Sequence, residues 1–255
     1  MTEPIAIVGR ACVLPGAHDP EALWDAVVAG RDLVTSAPKD RWGLRPEHTF
    51  TDATRAKDAA DRTWSDRGGY VRGFEFDPHG FEVPAGDLVG LDPVFTLPLH
   101  VGKRALADAH LDPSTRRVGA VLGNLSFPTA GHAAFAEQHW LGDLAERLGR
   151  TQPDPRERFS SGLPALLLAR ALGLSEGFAL DSACASSLYA IGIACDALRD
   201  RRMDAMLAGA VNRCDDLFIH VGFCALDAMS KTGRSRPFHA EADGLVPAEG
   251  CAMLV

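Results

Sequence analysis

The amino-acid sequence predicts an α/β fold in which a buried sheet carries helices on its faces. The first observation is a set of five runs of apolar and small residues, at 5–9 (IAIVG), 118–124 (VGAVLGN), 178–184 (FALDSAC), 205–211 (AMLAGAV) and 250–255 (GCAMLV). Runs without the polar alternation of a half-exposed strand belong inside a sheet covered on both sides. The second is order: the run at 178–184, a helical stretch at 185–198 and the run at 205–211 follow one another, and strand, helix and strand imply a parallel crossover. The third is size. A chain of 255 residues, 46% hydrophobic and 24% charged, suits one large domain or two small ones and excludes a disordered or fibrous protein.

Taken in order, residues 5–9 are expected to form a central strand. After a turn at Pro15-Gly16, Asp19 supplies a helix N-cap, Pro20 the first helical position and Glu21 early negative charge. Leu23/Val27 and Trp24/Val28 then fall four apart, and the helix should stop at Gly30. From 31 to about 90 periodicity is poor, and turn clusters at 66–69 and 77–80 indicate a long solvated excursion of the kind that serves a function or an interface. Asp92-Pro93 reopens a helix through Leu97, Val101, Ala105, Leu106 and Ala109, which Pro98 should kink or delay. Residues 132–147 are expected to form an amphipathic helix, and 163–172 a largely buried one interrupted by Arg170. The helix at 185–198 is apolar nearly all round, with its charges collected at 199–202, so it should lie buried between layers. The last run stops without cap, turn or polar tail, as expected of a chain cut at a boundary inside a larger protein.

Lys and Arg number 26 against 34 Asp and Glu, a formal net charge of -8, so no overall basic field attracts phosphate backbones and nucleic acid is not an expected partner. Residues 1–4 (MTEP) lack the basic region of a signal peptide. The longest apolar stretches are broken by Arg170, Asp181 or Gly209 before the ~20 residues that a bilayer requires. A soluble, cytosolic protein with no membrane association is expected. Six cysteines (Cys12, Cys184, Cys195, Cys214, Cys224 and Cys251) lie far apart with no CxxC pair, so most should be reduced thiols acting as small hydrophobes. No GxGxxG follows a strand and no GKS or GKT phosphate loop occurs, so no cofactor or metal is expected in this chain.

Cys184 is placed differently, where a buried strand turns into a buried helix, followed by the small residues Ala185, Ser186 and Ser187 that permit close approach of a substrate. That is the geometry of a strand-turn-helix nucleophile. Unpaired N–H groups and the macrodipole at a helix N-terminus favour an anion, and can bring a cysteine from a free pKa of about 8.5 to roughly 3.5–7.5. The backbone N–H of the same residue can face a carbonyl oxygen once the thiolate attacks, as half of an oxyanion hole. Spacing alone also fits a buried structural cysteine in a strand-to-helix corner.

The run Asp181-Ser182-Ala183-Cys184-Ala185-Ser186-Ser187-Leu188 resembles the active-site motif of the β-ketoacyl synthases, commonly DTACSSSL. It differs by Ser for Thr at 182 and Ala for Ser at 185, and neither change touches the thiol. The resemblance continues at 5–16 (IAIVGRACVLPG), 19–42, 204–212 (DAMLAGAVN) and 233–250, with SRPF, ADG and AEG, and is weakest over 43–90. The runs at 123–129 (GNLSFPT) and 212–226 (NRCDDLFIHVGFCAL) are most similar to ketosynthases of iterative polyketide and polyunsaturated fatty acid synthases. The resemblance implies a thiolase-like fold, in which two αβα halves stack into five layers. Residues 1–255 would be the first half, an N-terminal domain with a mixed five-stranded sheet.

The resemblance further implies that an acyl group passes from the phosphopantetheine arm of an acyl carrier protein onto Cys184, and that a malonyl-carrier thioester then decarboxylates and condenses with it. The two histidines that assist in the family lie in motifs resembling EAHGTGT and NIGH; neither occurs here, so condensation is expected to require a downstream half of the same domain. Phe223 matches a family position lining the acyl pocket, though an aromatic there equally fits ordinary core packing, and Leu245 stands where many relatives carry a gating Phe. His220 and His239 are expected to be structural or surface residues, and Glu249 and Asp243 to hold loops together. Family members are homodimers through the half that carries the cysteine, which points here to the strand at 205–211 as dimer surface. The alternative is a non-catalytic dimerisation or carrier-docking scaffold of the same fold.

Overall fold

The computed structural model describes residues 3–38, 41–42, 45–54, 61–213 and 216–255; Cys214 lies outside them. The chain runs through β1 (Arg10–Val13), α1 (Pro20–Val28), β2 (Thr35–Ser36), α2 (Pro46–Thr49), β3 (Arg67–Gly68), α3 (Pro93–Asp108), β4 (Val118–Asn124), α4 (Ala130–Leu141) and α5 (Asp143–Arg147). It continues through α6 (Leu163–Ala171), β5 (Glu176–Leu180), α7 (Ser186–Arg199), β6 (Ala205–Asn212), α8 (Asp216–Ala225) and β7 (Gly250–Leu254).

Five strands form one mixed sheet in the order β1-β7-β6-β4-β5. β4 is parallel to β5 and β6, whereas β7 is antiparallel to β6 and β1. The expected crossover is therefore present: β5 and β6 flank β4, and α7 carries the chain between them. Every residue of β4 is buried, which is why its sequence shows no polar alternation. Leu122 joins Phe95, Leu97, Val101, Leu168 and Leu207 in the core between the sheet and α3 and α6. On the opposite face Val121 packs with Ala190, Ala194, Met206 and Ala208 beneath α7. Helices on one face, sheet and α7 on the other make a three-layer αβα unit.

The Asp19 carboxylate accepts the Ala22 N–H and caps α1, and Asp92 caps α3 by accepting the Val94 N–H. Pro98 sits inside α3 without delaying its start at Pro93. The expected helix at 132–147 is two helices, because Gly142 turns the chain at φ 50° between α4 and α5. The excursion from 31 to 90 is less solvated than expected, since Thr63, Ser65, Tyr70 and Leu88 are buried. No helix among the described residues is long and apolar enough to cross a membrane.

Further expectations need correction. Residues 5–9 are not a central strand: β1 begins at Arg10, on the sheet edge, and Ile7 and Val8 are exposed. The Val8 and Gly9 N–H groups donate to the Val255 carbonyl, and Ile5, Ile7 and Val8 line a 330 Å³ groove against Ile191 and Cys195 of α7. Their apolar character serves that groove rather than the sheet. The helix after Cys184 is not buried all round either, because Leu188 is 72% exposed and Tyr189 also faces outward. Finally, β6 is paired on both sides, by β4 and β7, so its backbone hydrogen bonds are already used and it offers no edge to a partner.

Candidate active site at the β5–α7 elbow

β5 ends at Leu180, earlier than the sequence suggests. Residues Asp181 and Ser182 then lead into a tight 3-10 turn at Ala183–Ala185, from which α7 starts at Ser186. Cys184 is the middle residue of that turn and is exposed. Its predecessor Ala183 has φ 49°, a left-handed conformation that costs an L-residue roughly 1–2 kcal/mol and persists only where the surroundings enforce it.

The enforcing groups are two side chains. Asp181 Oδ1 accepts the Ala183 N–H at 3.0 Å, and its Oδ2 accepts the Ser126 N–H at 2.9 Å, so the carboxylate ties the elbow to the segment after β4. These N–H groups, Ser126 first, hold the Asp181 carboxyl below the usual carboxylate range. On the other side, Ser186 Oγ accepts the Ser182 N–H at 2.9 Å and donates to the Ala183 carbonyl at 2.7 Å. Ser186 is 5% exposed. In the sequence Ser186 counts only as a small residue, because nothing in the motif marks the two bonds of its hydroxyl.

The elbow is seated directly on β4. A Cβ on Gly123 would lie 2.9 Å from both the carbonyl carbon and the Cβ of Ser186, so the first turn of α7 requires glycine beneath it. Gly123→Ala is expected to destabilise the chain by about 1–3 kcal/mol through overpacking, measured as a lowered denaturant midpoint.

A groove of 920 Å³ runs along α7 and over the sheet, with Cys12, Trp24, Ser187, Ile191, Gly209 and Met253 in its wall. Ser187 and Ile191 are one helical turn apart, so the groove follows one face of α7; Cys184 is not in its wall. Phe223 and Leu245, both half-buried, are not part of that wall. The structure joins them instead through Ala228, whose N–H donates to the Phe223 carbonyl and whose carbonyl accepts the Leu245 N–H.

His220 and His239 both have structural surroundings. His220 is buried beside Trp42 and Tyr70, with Nε2 3.2 Å from the Arg67 carbonyl. His239 is exposed, and its Nδ1 accepts the Glu241 N–H. Asp243 accepts hydrogen bonds from Ser230 Oγ and from the N–H and Oγ1 of Thr232; these, the Ser230 bond first, hold its carboxyl below the usual range. It is a loop clasp, as expected. Glu249 likewise joins the excursion to β7 by accepting from Val71 N–H and Arg41.

Residues 2–255 match the profile described as "Beta-ketoacyl synthase, N-terminal domain". The chain is 36% identical over 258 residues to the phenolphthiocerol synthesis polyketide synthase type I Pks15/1 of Mycobacterium marinum, covering 100% of this chain and 12% of that protein. It is 33% identical to the pikromycin polyketide synthase component PikAII of Streptomyces venezuelae, covering 99% of this chain and 6% of that one. Among solved structures it superposes on the PfaC keto synthase-chain length factor with a TM-score of 0.86 at 30% identity, covering 98% of this chain and 28% of that chain. The chain thus spans a small fraction of the relatives it matches.

Proposed function

The chain belongs to the β-ketoacyl synthase family, matching its N-terminal domain, and from that premise we propose that Cys184 is the acyl-accepting nucleophile of a polyketide-type ketosynthase. The observation that carries this reading is the exposed thiol on a strained, doubly clamped turn at the N-terminus of a 14-residue helix. A helix end of that length presents partial positive charge equivalent to about half an elementary charge, which is complementary to the negative charge that develops on a thioester carbonyl under attack. The thiolate attacks the thioester carbonyl of an acyl group borne on the phosphopantetheine arm of an acyl carrier protein. A new carbon–sulfur bond forms at Cys184, the old one breaks, and the carrier thiolate leaves and takes up a proton.

In the second half-reaction a malonyl-carrier thioester loses CO2. The bonding pair becomes an enolate that attacks the acyl-cysteine carbon, and the Cys184 thiolate departs from a β-ketoacyl carrier product two carbons longer. The groups that assist decarboxylation are assigned to a downstream half of the same domain, seated on the 920 Å³ groove and on the uncovered face of α7. Phe223 and Leu245 are proposed as acyl-pocket residues completed by that half. The homodimer expected of the family would use β5, which ends the sheet with an unpaired side among the described strands, rather than β6. The setting proposed is the cytoplasm.

The test is peptide mass spectrometry after incubation with an acyl-carrier thioester, on the ketosynthase-bearing polypeptide and on residues 1–255 alone. Acyl mass on the Cys184 peptide of the longer protein is expected, with little on the isolated chain, whose apolar face lacks its cover. A folded longer protein that carries no acyl mass would leave the non-catalytic docking scaffold as the better account. A stable, monodisperse and labelled 1–255 chain would show that the downstream half is not needed for loading.

A further inference from the structure

We infer that Ser186 is a positioning residue: its buried hydroxyl, bonded to the Ala183 carbonyl, aims the Cys184 backbone N–H as an oxyanion donor. This inference rests on the reading of Cys184 as the acyl-accepting nucleophile and adds to it a group that acts without touching substrate.

The peptide between Ala183 and Cys184 is trans, as are all peptides described, so the Ala183 carbonyl and the Cys184 N–H lie in one plane and point in opposite directions. Fixing the carbonyl therefore fixes the N–H. That carbonyl receives two bonds from one residue, the Ser186 hydroxyl at 2.7 Å and the Ser186 N–H that closes the turn. Both bonds come from the first turn of α7, so the Cys184 N–H, opposite the carbonyl across the peptide plane, is directed away from that turn. Bonds accepted at an amide oxygen also polarise its N–H and strengthen it as a donor.

The hydroxyl has no freedom to do otherwise. It has one proton and two acceptor lone pairs; the proton goes to Ala183, and a lone pair takes the Ser182 N–H at 2.9 Å. With Ser186 buried against Gly123, water has little room to replace the lost oxygen. Ala183, held left-handed at φ 49°, would relax by rotating the very peptide plane that carries the Cys184 N–H. The thiol, carried on the Cys184 Cα, would move less. Ser186 is thus placed to govern oxyanion stabilisation more than thiol access.

Two reactions of the same thiol separate these roles. Acyl loading from a thioester builds an oxyanion, whereas alkylation by iodoacetamide displaces iodide at a saturated carbon and builds none. In the ketosynthase-bearing polypeptide, Ser186→Ala is expected to slow loading about 10- to 100-fold, short of the full loss of an oxyanion donor, with alkylation changed less than about threefold. Ser186→Thr, which keeps the oxygen, should recover most of the loading rate. Asp181→Ala, which frees the Ala183 N–H instead, should show the same selective loss and serves if Ser186→Ala does not fold.

Equal losses in loading and alkylation, or unchanged loading, in either folded variant would overturn the inference. A wild-type protein that is alkylated at Cys184 but never acylated would instead overturn the nucleophile reading, and the inference with it.

Discussion

Cys184→Ala is expected to lower acyl loading of the ketosynthase-bearing polypeptide by about 10³-fold or more, since no covalent intermediate can form without the attacking group. The size of the effect depends on whether another thiol can substitute. Among the described cysteines, Cys12, Cys224 and Cys251 are buried, Cys195 is half-buried and Cys184 is exposed. Burial pushes the thiols of Cys12, Cys224 and Cys251 upward, away from the thiolate that does the chemistry. Cys195 lies near the far end of α7, in the wall of the 330 Å³ groove, three helical turns from the elbow. None of them sits at a helix N-terminus with small residues following. Residual loading above a thousandth of the wild-type rate, localised to Cys195 by peptide mapping, would contradict the assignment.

The same substitution should leave stability within about 0.5 kcal/mol, because an exposed side chain outside the core loses no packing. The elbow's hydrogen bonds run through the backbone of Ser182 and Ala183 and the side chains of Asp181 and Ser186, and none uses the Cys184 sulfur. Loss of loading at an unchanged unfolding midpoint therefore identifies a chemical role. Gly123→Ala should do the reverse, lowering the midpoint first and loading only through the disturbed elbow.

The strands were legible wherever burial on both faces left a continuous apolar run, as at β4, β6 and β7. The same signal misled at residues 5–9, because an apolar run records contact with something apolar without saying whether a strand or a groove supplies it. The all-apolar helix after Cys184 misleads in the same way: Leu188 and Tyr189 are exposed on the described chain. N-caps were readable at Asp19 and Asp92, where a carboxylate and proline meet at a helix start. The cysteine was readable from its motif and its corner. The clamp around it was not, because no residue type announces a left-handed alanine, and the bonds of Ser186 span a turn that sequence periodicity does not describe.

Glu249→Ala is expected to cost about 3–5 kcal/mol of folding stability, the range for removing one partner of a buried ion pair. The Glu249 side chain is 7% exposed and lies against the guanidinium groups of Arg41 and Arg213, themselves 15% and 16% exposed. Its Oε1 also accepts the Val71 N–H at 2.6 Å, while Arg41 lies over the Tyr70 ring at 5.1 Å. The carboxylate thus neutralises two cations and joins three segments: the excursion at Arg41 and Val71, the end of β6 at Arg213, and the entry to β7. Removing it takes the buried carboxylate away from both guanidinium groups and from the Val71 N–H. Glu249→Gln retains an acceptor for the Val71 N–H but loses the charge, so its cost should fall between wild type and alanine. Because the cluster is screened from solvent, adding salt should rescue neither variant, in contrast to an exposed pair such as Arg10–Glu21. Denaturant unfolding at low and high salt measures all of this. Alanine and glutamine variants as stable as wild type would show that the hydrophobic contacts of β7 hold the excursion in place without the carboxylate.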